Sequence, residues 1–451
     1  MSSAVTGASR FFSRKELFLL IIPLVIEQFL AIAVGFADTI MVSYVGENSV
    51  SGVSLVDSIN ILVIQIFSAL ATGGAVVAAQ YIGRSETNNA CRSAKQLLNA
   101  SIVLSGALMA ICLCFRKFIL STVFGKIEQE VMEVAVNYFL ITSISYPFLA
   151  IFNSCAALYR AVGNSRVSMF VALIMNVLNV AGNAVGIYVL GWGAAGAAIS
   201  TLISRIAGAI IMLVLISRRG QIIFIDSLFR PEFDWNMTKR ILAIGIPSGF
   251  ENGAFQVGKL MIASLVTTFG TAAIAANAIS GTIASISNIP GSAIGLAMVT
   301  VVGQCMGAGD HVQARFYVRK LMIYTYVAMN ALNVLMVIFA KPLVGAFNLS
   351  ELASSYAEDI VYSFGIASAL IWPAAFTLPN ALRAAGDVKF TMYSSMITMG
   401  IFRLGFSYIL GQAMGMGLFG VWFAMYIDLI FRAALFIGRY FSGRWENKRA
   451  I

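Results

Sequence analysis

Twelve apolar segments, each long enough to cross a bilayer, follow one another along this chain with only short polar breaks between them. They run approximately over 16–46, 50–81, 94–114, 130–158, 167–190, 193–217, 239–268, 274–304, 318–339, 356–382, 389–413 and 416–440. A spanning helix needs about 20 predominantly apolar residues. In hydrocarbon only elements that pair their own backbone polar groups persist, so the chain is confined to an all-α polytopic membrane fold. Composition agrees: 59% of the 451 residues are hydrophobic and 11% charged, where a soluble domain carries about 25% charged residues. The start, MSSAVTGASRFFSRK, is basic like the head of a signal peptide. The apolar run behind it, however, is too long, contains Pro23 and Glu27 and lacks a small-residue cleavage site, so it is read as the first span.

A net charge of +10 invites a nucleic-acid reading, which the positions of the charges reject. Of 30 Lys and Arg, 22 fall in the termini and in alternate loops, among them Arg14, Arg84, Arg160, Arg219, Arg319, Arg383 and Arg444. The intervening loops hold only Arg116, Lys117, Lys126 and Lys341. This is the positive-inside pattern, and it places both termini in the cytoplasm of a multi-pass cell-membrane protein. The partners expected are the lipid bilayer and small molecules, with no nucleic acid and a monomeric state. The five cysteines form no CxxC pair, sit mostly within apolar runs and read as small core residues.

The longest polar break, 217–238, divides the chain into a lobe at 1–216 and a second lobe at 239–451, six segments each. The halves repeat at an offset of 223 or 224 residues. Pro23-x-x-x-Glu27 recurs as Pro247-x-x-x-Glu251, and Gln80-x-x-Gly83 as Gln304-x-x-Gly307. Arg160-Ala161-x-Gly163-Asn164 recurs as Arg383-Ala384-x-Gly386-Asp387, and Gly191-x-Gly193-x-x-Gly196 as Gly415-x-Gly417-x-x-Gly420. Six spans is an even number, so the halves share one orientation about a pseudo-twofold axis along the membrane normal. Parallel repeats of this kind are typical of secondary transporters, with sites at or near the repeat interface.

The first segment holds two acids, Glu27 and Asp38, eleven residues apart and hence within about 20° of each other on a helix. A carboxylate in a span is costly enough to be a functional hypothesis by default. Glu27 falls near mid-membrane and Asp38 toward the far side, while Pro23 offers a hinge. Glu27 and its repeat partner Glu251 can face each other across a cleft and attract a cationic substrate, with Gln28, Gln256, Phe255 and Asp57 as further candidate lining residues. The competing reading has each glutamate protonated and hydrogen-bonded between helices.

Pro23 followed by Asp38, the loop Arg160-Ala161-Val162-Gly163-Asn164, the pair Asn179-x-x-x-Asn183 and the run GWGAAGAAIST at 191–201 resemble the multidrug and toxic compound extrusion (MATE) family over all twelve spans. The resemblance implies a V-shaped pair of six-helix lobes exporting organic cations against inward H+ or Na+. It also implies that Asn179, Asn183 and Thr201 join Asp38 in an N-lobe site for that ion. One carboxylate with amide and hydroxyl oxygens suits a hard monovalent cation or a caged proton. No cofactor beyond the coupling ion is expected.

Offset by the repeat, Asp38 falls on Ile262, Thr201 on Met425, Asn183 on Phe406 or Ser407, and Asn179 on or beside Arg403, so ion coupling is expected in the N lobe alone. The sodium-coupled branch carries acids where this chain has Phe255-Gln256 and Trp372-Pro373, so no sodium site is carried over to the C lobe. Among the other charges in the spans, Asp428 and Arg432 most simply pair with each other, and Lys259 snorkels to the outer surface. Phe29, Phe36, Phe250, Phe255 and Met261 suit an adaptable apolar wall for bulky cations. Gly253 to Lys259 imitates a phosphate-binding loop, but Leu260 stands where Ser or Thr must hold magnesium, which excludes ATP as the direct driver. The only histidine, His311, is in a loop, and no intramembrane protease constellation is present, so the chain is not read as an enzyme. The alternative within the class is a flippase for lipid-linked saccharides, which would want a wider basic cavity.

Overall fold

The computed structural model describes residues 11–125, 128–226, 232–448 and 450–451, and among these the chain forms helices and no strand. Arg10, Lys126, Arg230 and Arg449 and the middle of the linker at 217–238 lie outside the described residues. The first half contains α1 Arg14–Ser43, α2 Glu47–Gly83, α3 Thr87–Phe124, α4 Gln129–Ile144, α5 Tyr146–Ala161, α6 Ser165–Val189 and α7 Gly193–Ile216. The second contains α8 Trp235–Thr267, α9 Thr271–Ser287, α10 Ile289–Gly307, α11 His311–Ile338, the short α12 Ala340–Gly345 and α13 Glu351–Ala384. It ends with α14 Val388–Ile397, which winds on in wider π turns to Ala413, and α15 Gly417–Phe441.

Nine of these helices are long and apolar enough to cross a membrane alone, and α4 with α5 forms a tenth pass bent by 46°. The more polar α8 and the π-wound α14 complete twelve, with α9 prolonging α10. Two expected segments are therefore interrupted, at Ser145 ahead of Pro147 and at Asn288 ahead of Pro290. A proline removes an N–H donor and crowds the carbonyl four residues before it, which breaks the ladder at these points. α1 and α8 instead run unbroken through Pro23 and Pro247. The start of α1 is fixed by a capping box: Ser13 Oγ accepts from the Glu16 amide, and the Ser13 amide donates to Glu16.

The two halves share a core only at the end of the bundle where the described chain begins and finishes. There Leu17, Leu20 and Leu24 of α1 pack with Ala297 and Val301 of α10, and Val76 and Ala79 of α2 with Ile241 of α8. At the opposite end each half keeps its own core, one drawn from residues 42–198 and one from 262–433. The result is a V whose arms meet at the terminal end. Large apolar side chains such as Phe18, Val103, Phe118 and Leu370 stand exposed on the outer faces, as a lipid solvent allows.

The apex of the V is a reciprocal clasp built from two repeat motifs. Gln80 Nε2 donates to the Ala384 carbonyl at 2.8 Å, and Gln304 Nε2 donates to the Ala161 carbonyl at 2.7 Å. Each glutamine thus caps the Arg-Ala-x-Gly turn of the other lobe. The backbones approach so closely that a Cβ on Gly83 would stand 2.0 Å from the Gln304 carbonyl oxygen. A Cβ on Gly307 would stand 2.0 Å from that of Gln80. Thr300 Oγ1 adds a bond to the Arg160 carbonyl at 2.9 Å, and the Ala450 amide donates to Gln80 Oε1 at 3.2 Å.

Gln80→Leu and Gln304→Leu should each strand a buried carbonyl and cost about 1–3 kcal/mol. The expected readout is a lower thermal midpoint for each purified variant in detergent. Gly307→Ala should fall further, because its clash is with backbone that cannot step aside.

Candidate functional site

The N-lobe site lies in the half of the first lobe away from the clasp. The four-residue spacing of Asn179 and Asn183 puts both amides on one face of α6, turned toward α1 and α7. Asn183 Nδ2 donates to Asp38 Oδ1 at 2.5 Å, and Asn179 Nδ2 donates to Thr201 Oγ1 at 3.0 Å. Both asparagines are buried, and the Oδ1 atom of each has no hydrogen-bond partner. A buried carbonyl oxygen left unpaired is a standing cost. Two of them beside one carboxylate and one hydroxyl form a set of oxygens with spare lone pairs, the donor chemistry that a proton or a small hard cation uses.

Asp57 was expected to line the cleft for substrate. It belongs instead to this N-lobe network: Asn60 Nδ2 donates to Asp57 Oδ1 at 3.2 Å, and Tyr146 donates to Asn60 Oδ1 at 2.8 Å. Arg205 Nη1 donates to Ser145 Oγ at 2.6 Å, at the bend between α4 and α5, and interacts electrostatically with both Asp38 and Asp57. The lobe therefore sets two carboxylates against one guanidinium. Tyr146 and Arg205 were not legible as members of the site, since nothing in their local sequence points to α2.

The C lobe encloses a chamber of about 480 Å³ between α8, α9, α13, α14 and α15. Its lining includes Ile262, Met425 and Arg403, the repeat counterparts of Asp38, Thr201 and Asn179, so it is the pseudo-symmetric image of the N-lobe site. Its polarity is reversed. Lys259 and Arg403 line it and no carboxylate does. Asp428, fully buried behind the wall, lies 3.2 Å from Arg432 and 3.8 Å from Arg403. The expected Asp428–Arg432 pair is present, and Arg403 shares it. Phe255 stands where an acid would be needed for a sodium site, and Lys259, Arg403 and Arg432 lie 5.1, 5.4 and 5.5 Å from its ring centroid. Lys259 is exposed, as a snorkelling residue would be, and its ammonium sits over that ring on the chamber wall.

Glu27 and Glu251 do not confront each other across a cleft, nor is either held only by neutral hydrogen bonds. Arg160, at the end of α5, turns inward to Glu27 at 3.1 Å, and Ser168 of α6 donates to the same carboxylate at 2.7 Å. In the second lobe Arg383 reaches Glu251 at 2.6 Å, with Ser395 donating at 2.6 Å. The repeated Pro-x-x-x-Glu and Arg-Ala-x-Gly motifs are thus one device used twice, an arginine from a terminal turn neutralising a mid-span acid. Glu27 and Gln28 line a smaller chamber of about 330 Å³ that also takes Trp372 and Asn380 from the other lobe, whereas Glu251 is buried away from it. Gln256, half-buried on α8, is not among the residues of either chamber. Phe250 and Met261 line an apolar groove between α2 and α8, and Phe29 and Phe36 are exposed on α1.

The MatE family model matches the chain twice, over residues 23–185 and 247–409, in step with the internal repeat. A Bacillus subtilis (strain 168) protein described as the uncharacterized transporter YisQ is 30% identical, over 96% of this chain and 95% of its own length. A Thermotoga maritima protein described as the probable multidrug resistance protein NorM is 28% identical, over 97% of this chain and 94% of its own. Among solved structures, MATE in its bent conformation superposes with a TM-score of 0.86 at 20% identity, over 96% of this chain and 94% of that one. MATE in its straight conformation gives 0.85 at 20% identity, over 95% of each chain. With a fold of two like lobes, a family match in each, and a relative alike along nearly its whole length, the chain belongs to the MatE family of multidrug and toxic compound extrusion transporters.

Proposed function

We propose that the protein is an antiporter of the cell membrane that exports cationic or amphipathic organic compounds, driven by H+ or Na+ bound at Asp38. The observation that carries this is the pair of unpartnered amide oxygens of Asn179 and Asn183 beside Asp38 and Thr201. An ion or proton there changes the cost of keeping the Asp38 carboxylate in the lobe, and Pro23, on the same helix, removes one backbone bond where α1 would bend. A clasp that closes one end of the V and leaves the arms apart at the other is one of the two states alternating access requires. The basic loops and both ends of the described chain at the clasp end support a cytoplasmic assignment for that end. The name multidrug resistance protein, borne by the Thermotoga relative, supports organic compounds as cargo. The basic C-lobe chamber favours a second reading, a flippase for lipid-linked saccharides, whose phosphates it would suit.

In vesicles holding the purified protein, an imposed pH or Na+ gradient should drive movement of a fluorescent organic cation. Asp38→Asn should cut that rate about tenfold or more, as expected when a lost ion ligand costs at least about 1.4 kcal/mol. Transport by Asp38→Asn with undiminished gradient dependence would refute the assignment, and movement of a labelled lipid-linked saccharide without an ion gradient would favour the flippase.

The glutamates are structural charges neutralised within each lobe. Arg383→Met alone should strand Glu251 and destabilise by about 3–5 kcal/mol, while Arg383→Met with Glu251→Leu should recover most of that loss. Thermal unfolding of the two variants compares them directly.

A further inference from the structure

We propose that the C-lobe chamber is an oxyanion site, taking a carboxylate or phosphate group of an amphipathic solute between Lys259 and Arg403. Its role as a substrate subsite rests on the export reading; the binding itself does not.

Charge is the first ground. Lys259, Arg403 and Arg432 gather about the Phe255 ring, and the one carboxylate near them, Asp428, is bonded to Arg432 and lies at the outer limit of an ion pair with Arg403. That leaves a surplus of two positive charges on the wall of a cavity that no acid lines. Lys259 is exposed to the cavity, makes no ion pair among the described residues, and rests on the Phe255 ring. An ammonium without a counter-charge in a membrane-spanning helix is expensive, and such residues mark pathways for ligands or ions. A ring face offsets only part of that cost.

The hydrogen-bonding groups are the second ground. Trp422 Nε1 donates to Asn277 Oδ1 at 3.1 Å, which fixes the amide so that its NH2 remains to donate elsewhere. Ser285 and Ser292 add hydroxyls to the lining, and the Asn288 Oδ1 atom is buried without a partner, an acceptor for a hydroxyl or amine on the same solute. Phe255, Trp372 and Phe376 supply flat apolar faces next to the cations. A cavity of about 480 Å³ holds a molecule of drug size.

The third ground is the repeat. Where the N lobe has Asp38, Asn179 and Thr201, this chamber has Ile262, Arg403 and Met425. A duplicated cavity that loses its acid and gains an arginine has exchanged the sign of what it attracts.

The test uses a matched set of probes with the full-length protein in detergent: 2-naphthoate, its neutral carboxamide and 2-naphthylmethylammonium, with quenching of tryptophan fluorescence as the readout. Naphthoate should bind at least about tenfold tighter than either analogue, a difference of about 1.4 kcal/mol. Lys259→Gln should reduce that preference to within about twofold, and Lys259→Arg should restore it. Lys259 holds no ion pair, so this substitution leaves the buried Asp428 cluster intact, and Arg403→Gln provides a second, independent loss. Equal binding of the three probes, or a preference that survives both Lys259→Gln and Arg403→Gln, would overturn the proposal. Displacement of naphthoate by phosphatidylglycerol but not phosphatidylcholine nanodiscs would identify a lipid headgroup as the occupant. Displacement by inorganic phosphate alone would identify a soluble anion, and either result carries the oxyanion site. If naphthoate binds as expected while no gradient drives transport in vesicles, the export reading fails and this site stands.

Discussion

A charge carried into hydrocarbon must find a partner close by, and this chain carries many of them. The structure is organised by how each is met. Glu27 and Glu251 are met by arginines sent inward from terminal turns. Asp428 is met by an arginine one turn along its own helix, with a second drawn in from α14. Asp38 is met by an amide alone, with Arg205 and a second carboxylate nearby. Glu27, Glu251 and Asp428 have an arginine within reach, Asp57 and Asp38 are held by amides, and only Asp38 has beside it a neutral cage with unspent lone pairs. That difference singles out Asp38 more sharply than its position along α1 does.

The same bookkeeping divides the two lobes. They share helix order, clasp motifs and the glutamate–arginine pair, yet their cavities away from the clasp differ in sign. The N-lobe site sets two carboxylates against one guanidinium, whereas the C-lobe chamber is lined by two cations and no carboxylate, with the Asp428–Arg432 pair buried behind it. Common structure lies near the clasp, where both halves must fit each other. Divergence lies at the open end, where each half answers only to its own core.

Much of this was legible in the sequence, and the reasons are physical. Apolar length and the repeat of Pro-x-x-x-Glu and Gln-x-x-Gly give twelve passes in two like halves, because hydrophobic runs and duplicated motifs are local signals. The loss of Asp38, Asn179 and Thr201 at Ile262, Arg403 and Met425 was visible from the offset alone. What the sequence hid were partners distant in the chain. Arg160 and Arg383 read as loop charges because they end helices, and nothing local shows that they turn back toward acids about 130 residues away. Lys259 read as a snorkelling residue because α8 alone does not reveal that a chamber opens on that face. Asp57 read as cleft-lining for the same reason: Asn60 is its neighbour in sequence, but Tyr146 and Arg205 come from α5 and α7.

The clasp has one further implication. Gln80 and Gly83 meet Gln304 and Gly307 in a relation where each side gives and receives the same contact, the geometry of an isologous twofold interface. Such a contact is self-complementary, so two identical six-helix halves could close it about the same axis. Because the two halves here are one chain and need not be identical away from that axis, the molecule holds a pair of cavities that no symmetric dimer can possess.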